Sequence, residues 1–143
     1  MSVPMATPVQ EATLGRPARL AGLAATLVAV GLVRSLPLRR VISLVRAGRR
    51  HGRRPATPVE AARYLLQVEQ GSGSVPFRVA CLERSLAAVL LGIAYRRPVG
   101  WCIGVRITPP LTGHSWVQLD GQPVGEEQAL IDNHRILLTV EER

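Results

Sequence analysis

Lysine is absent from this sequence, aromatic residues are scarce, and cysteine occurs only twice. With no lysine, all 18 basic side chains are arginine. A GC-rich genome produces that exchange throughout, without selection for guanidinium chemistry. Aromatics at 3% leave no stacking platform for nucleic-acid bases, and no helix-turn-helix signature accompanies the positive charge. The core must therefore be built from Leu, Val, Ala and Ile. Cys81 and Cys102 are too few for a disulfide framework, although one bond between them is left open. There is no C-x-x-C and no H-E-x-x-H, so neither a zinc centre nor any other cofactor is expected. The longest apolar run, Leu20–Val33, has 14 residues, short of the ~20 that cross a bilayer. Arg16 and Arg19 precede it as in a signal peptide, but no small-x-small cleavage site follows. No membrane span is expected and a cytoplasmic location is; the run reads as a helix that packs internally or faces a partner.

What is present is a chain of 143 residues, 47% apolar, enough for one domain with a real core or a small domain with an appendage. The formal charge is +8. Arg39, Arg40, Arg46, Arg49, Arg50, Arg53 and Arg54 crowd into sixteen positions. Two readings of that cluster stand side by side: a site for nucleic acid, anionic lipid or acidic peptide, or a solvated helix face running into a linker.

Residues 1–16 have little periodicity and read as a loose tail. A helix is predicted from Pro17 to Val33, with Gly22 and Gly31 as soft points, and a second from Leu38 to about Arg50 after Pro37. Thr57-Pro-Val-Glu60 is a capping-box arrangement that opens a third helix ending near Leu66 or Val68. The run Gly71-Ser-Gly-Ser-Val-Pro76 reads as the most flexible stretch, and a boundary is placed there: a helical region over 17–70, a second domain over 71–143. That second part begins with a long helix from Phe77 to about Tyr95. Strand-like runs follow at Trp101–Thr108, His114–Leu119, Gln122 to about Gly125 and Arg135–Val140, with Asp120-Gly121 as a hairpin turn. One helix followed by three or four antiparallel strands gives an α+β fold, the sheet packed on the helix.

Cys81 falls at the start of that long helix, where unpaired N–H groups and the helix dipole favour a thiolate and can face an oxyanion. It shares a helix side with Ser85, off the apolar stripe through Leu82 and Leu86. A cysteine in a helix is more often structural than catalytic, so the case needs a base. His114 opens a strand just after a Pro-Pro-Leu-Thr-Gly loop, where substrate can approach; His51 and His134 are weaker candidates. A thiol nucleophile with an imidazole base also needs an acid to orient the ring. Asp120 is nearest in sequence, but six residues of strand put it ~20 Å away. A two-residue hairpin loop pairs His114 with Glu127; a three-residue loop pairs Trp116 with Glu126 and makes Glu126 the diagonal neighbour of His114. Glu126 or Glu127 is thus better placed than Asp120. Trp116 and Ser115, beside the base, and Ser85 are candidates to line a substrate cleft, although Trp116 equally suits the role of a core cover. Cys102 reads as a buried strand residue.

Three blocks in order, Cys81-Leu-Glu-Arg-Ser-Leu-Ala, Ile103-Gly-Val-Arg and His114-Ser-Trp-Val-Gln-Leu-Asp-Gly-Gln-Pro-Val, resemble the lasso peptide biosynthesis B proteins, transglutaminase-like leader peptidases. The likeness is close over Phe77–Arg143 and looser over the N-terminal helices. It implies a papain/transglutaminase-like domain with Cys81 as nucleophile and His114 as base. The acid, an aspartate in those proteins, falls on Glu126. Ser115 and Gln118 stand where Ala and Glu are usual. The resemblance further implies a cysteine peptidase that cuts the leader from a ribosomal lasso precursor peptide. Its partners would be a separate leader-binding protein, docking with the precursor on the 17–70 region, and a lasso cyclase that takes the product. A transglutaminase-like acyltransferase, or an inactive binding module, would carry the same residues.

Overall fold

A computed structural model describes residues 13–141; most of the expected tail, residues 1–12, lies outside the described residues. Helices come first: α1 (Arg16–Ser35), α2 (Leu38–Arg49), α3 (Pro58–Ser72) and α4 (Cys81–Ala94). The sheet follows, with β1 (Gly100–Arg106), β2 (Gly113–Leu119), β3 (Gln122–Val124), a short α5 (Gln128–Asp132) and β4 (His134–Val140). Its strand order is β3-β2-β1-β4 and the pairings are antiparallel. This is the α+β arrangement read from the pattern; α5 was not expected.

Local chemistry explains the element ends. Thr57 Oγ1 accepts the Glu60 N–H at 3.2 Å, and Pro58 occupies the first turn of α3, as the capping signature requires. The α4 helix starts four residues later than its apolar periodicity suggested. Glu83 reaches back to accept the Ala80 N–H at 3.0 Å, which fixes Ala80 as N-cap and Cys81 as the first helical residue. At the β2–β3 hairpin Asp120 and Gly121 have φ of 49° and 76°, the pair of left-handed residues that a type I′ turn demands.

The α3 helix continues past Val68 to Ser72 because of what it touches. A side chain at Gly22 would overlap the backbone of Gln67, and one at Gly71 would overlap Leu23 N and Arg19 O. The two helices therefore cross with backbone against backbone, and the contact carries α3 through residues whose own propensity is poor. Gly71, read as part of a flexible stretch, is buried; Gly22 is a contact point, whereas a side chain at Gly31 would meet nothing within 4 Å.

One apolar cluster holds the layers together. It takes Ala25 and Ala29 from α1, Val41 and Val45 from α2, Tyr64 and Val68 from α3, Leu86 to Val89 from α4, and Trp101, Val117 and Val140 from the sheet. The division drawn at 70/71 falls inside α3, and this cluster draws on both sides of it. The α1 helix is 20 residues and apolar enough to cross a membrane by length and composition alone, longer than the 14-residue apolar run within it. One of its faces is packed on α3 and α4; Leu20, Leu27 and Val28 on another are exposed.

Gly22→Ala and Gly71→Ala should each lower stability by about 1–3 kcal/mol, read as a reduced urea midpoint at unchanged m-value. Gly31→Ala should be neutral or raise stability by up to ~1 kcal/mol. Equal effects at all three positions would contradict the backbone-on-backbone crossing.

Candidate functional site

Cys81 is the first residue of α4 and half-buried, at the helix end where backbone N–H groups lack intrahelical partners. Burial of the thiol raises its pKa. The Ser115 N–H, the His114 ring and the Ser115 hydroxyl act against that and hold it below the ordinary 9.0. The start of α4, with Cys81, thus lies by the start of β2 at one end of the sheet.

His114 Nε2 donates to both oxygens of Glu126, each at 2.8 Å. With Nε2 committed to the carboxylate, Nδ1 is the ring atom left for the sulfur. Partial burial alone would lower the His114 pKa; the Glu126 hydrogen bond, followed by that to Cys81, raises it above 6.5 instead. A depressed thiol facing an elevated imidazole biases the two groups toward a thiolate–imidazolium pair.

The route by which Glu126 arrives differs from the one inferred. The hairpin has a two-residue loop, with Leu119 opposite Gln122 and Val117 opposite Val124, so the three-residue register does not occur. Continued as a strand, this register would set Glu127 opposite His114 and turn Glu126 to the other face. Instead β3 stops at Val124 and Gly125 takes φ of 73°. That left-handed residue reverses the alternation and delivers the Glu126 carboxylate to the imidazole. A Cβ on Gly125 would also approach Leu65 Cδ1 at 2.9 Å. Asp120 sits in the turn, and Glu127 is exposed at the start of α5, its carbonyl accepting the Ile131 N–H. Neither reaches His114.

The three residues assigned to a cleft wall are buried, which corrects that assignment. Trp116 is 2% exposed, stacks on His114 with centroids 5.9 Å apart, and lies over Gly104, where a Cβ would come within 3.0 Å of its ring. Ser115 and Ser85 turn into the layer between β2 and α4, with their hydroxyls 2.9 Å apart. Cys102 is fully buried as expected, its Sγ 3.7 Å from Thr139 Oγ1, and burial raises its pKa. Both cysteines are free thiols. Sequence reasoning undervalued His134. It opens β4, with its ring 5.6 Å from that of His114 and 6.0 Å from that of Trp116. No local motif marks it; only the β1–β4 pairing brings it across the sheet.

The arginine cluster divides. Arg49 is buried and donates to the Val99 carbonyl, and Arg54 pairs with Glu60 at 2.9 Å. Arg46, Arg49 and Arg50 line an open cleft of about 640 Å³ with Thr139, Val140 and Glu141, a set that includes none of Cys81, His114 and Glu126. Among the described residues no three His, Cys, Asp or Glu side chains gather as a metal site.

Compared with known proteins, the family described as the transglutaminase-like superfamily matches residues 23–139. No curated protein and no solved structure matches the chain.

Glu126→Gln should lower the titration midpoint of the His114 ring followed by NMR, because the largest influence raising it is lost. Asp120→Asn should leave that midpoint where it is. The reverse pattern would assign the orienting acid to the turn.

Proposed function

The chain belongs to the transglutaminase-like superfamily, and we propose that within it this protein is a cysteine peptidase that removes the leader from a ribosomally made lasso precursor peptide. The observation that carries the reading is the linked set at one end of the sheet: Cys81 at a helix start, His114 against it, and Glu126 holding the far ring nitrogen. The Cys81-Leu-Glu-Arg-Ser-Leu, Ile103-Gly-Val-Arg and His114-Ser-Trp-Val-Gln-Leu blocks supply the substrate class through their likeness to lasso B proteins.

In the reaction the Cys81 thiolate attacks the carbonyl of the last leader residue. The tetrahedral oxyanion forms beside the free N–H groups at the start of α4. The His114 imidazolium passes its proton to the departing core amine, and the leader remains as a thioester on Cys81. His114, now neutral, takes a proton from water, which attacks the thioester; the leader leaves as the acid and the thiol is restored. Glu126 keeps the ring oriented and stabilises its cationic form. A separate leader-binding protein presents the precursor, with the helical region over 17–70 as its docking surface, and a lasso cyclase consumes the freed amine.

Incubating the protein with a lasso precursor and the leader-binding partner should yield leader and core by mass spectrometry. Cys81→Ala should lose at least about 10³-fold in rate, and Glu126→Ala should lose more than Asp120→Ala. An added primary amine that captures the acyl group in preference to water would favour the acyltransferase reading. A Cys81→Ala protein that still cuts would end both. The profile of kcat/KM should be a bell. Activity rises as the thiolate forms, below the usual thiol range, and falls as the imidazolium is lost, above the usual imidazole value; the two limbs belong to the coupled pair.

A further inference from the structure

The outer sides of α1 and α2 combine an apolar stripe with unbalanced positive charge. Between Glu11 and Glu60 the chain has ten of its 18 arginines and no Asp or Glu. The carboxylates of the helical region, Glu60 and Glu69, are both on α3, and Glu60 is paired with Arg54. On α2, Arg39, Arg40, Arg46 and Arg50 are exposed. Arg46 and Arg50 set like charges one turn apart, which costs helix stability. On α1, Leu20, Ala24, Leu27 and Gly31 recur at i, i+4, i+7 and i+11 along one exposed side, with Val28 beside them. The stripe is about 17 Å long, and Leu20, Leu27 and Val28 are 62%, 49% and 53% exposed. Arg16 and Arg19 stand before it and Arg34 after it, all exposed. Solvation accounts for the arginines but not for leucines held in water between them.

We propose that the outer sides of α1 and α2 bind an anionic phospholipid surface, with the α1 stripe in the acyl boundary and the arginines on the lipid phosphates. A bilayer answers both features at once, the charge and the apolar stripe it flanks. Nucleic acid would pair with the guanidinium groups and leave the leucines in water. Protein interfaces draw on aromatic anchors, and the stripe has none. The binding is peripheral. The α1 helix is long and apolar enough to span a membrane, but its other side is committed to the fold. Gly22 meets the Gln67 backbone, and Ala25 and Ala29 are in the core. Turning α1 into the bilayer would open that crossing, so the helix lies in the plane of the interface. The outer side of α3, where Val59, Ala62 and Arg63 are exposed, stays available to a leader-binding protein.

The inference does not rest on the peptidase reading, and its test measures binding alone. The full chain is floated with vesicles of phosphatidylcholine and phosphatidylglycerol in about a two-to-one ratio, and with phosphatidylcholine vesicles as the neutral control. It should rise with the anionic vesicles, remain largely unbound with the neutral ones, and come off as salt increases. Arg39→Gln and Arg40→Gln should each weaken partition by about fivefold. Leu27→Gln should weaken it by about fivefold or more. All three side chains are exposed, so the urea midpoint should not move, which separates lost binding from lost folding. No flotation with the anionic vesicles at low salt would overturn the proposal. So would a Leu27→Gln protein that floats as well as the parent, since the contact would then be charge alone. Duplex DNA binding that matches vesicle binding and ignores Leu27→Gln would assign the surface to nucleic acid instead. Capture of a leader-binding protein that Leu27→Gln abolishes without vesicles would assign the stripe to that protein.

Discussion

Burial of α4 on nearly every side is the constraint from which the remaining geometry follows. Leu86, Ala87, Ala88, Val89, Leu91 and Gly92 are in the core, with α1 and α3 on one side of the helix and the sheet on another. A helix held that way cannot slide along its axis, so its first residue is fixed relative to the strands. Cys81 is that first residue, and the start of β2 is what it meets. The small side chains that allow such close layers, together with the glycine crossing between α1 and α3, are therefore also what places the sulfur.

Much of the fold was legible because each element carries its own local signal. The apolar period of α2, the Thr57-Pro58-Glu60 cap and the Asp120-Gly121 turn are short-range chemistry, and each element lies where that chemistry puts it. The elements that were misjudged depend on distant contacts. The end of α3 is set by Gly71 against α1, and the start of α4 by one carboxylate, Glu83, overriding an apolar pattern that ran on through Phe77. The five-residue α5 is too short to show a period.

The site divides in the same manner. Cys81 and His114 could be picked out from their positions at element starts, and reach along the hairpin separates His114 from Asp120, which lies in the turn. The reasoning to Glu126 used a register the hairpin does not have; Gly125, a residue with no side chain, brings that carboxylate to His114 by breaking the strand and reversing the face. The burial of Trp116, Ser115 and Ser85, and the approach of His134, depend on which sheet face is covered and on the β1–β4 pairing. Neither is encoded within ten residues of His114.

The arginine-only surface has a consequence for the proposed chemistry. Guanidinium groups stay protonated at any pH a protein survives and are poor nucleophiles, whereas the ε-amine of lysine is the acceptor that most readily intercepts an acyl thioester. A chain with no lysine offers an acyl group held on Cys81 no side-chain amine, either in its own structure or on a neighbouring copy. Self-crosslinking through a lysine side chain is thereby closed off by composition. Apart from its α-amino group, the protein has no amine of its own to take such an acyl group, and an amine acceptor must come from another molecule.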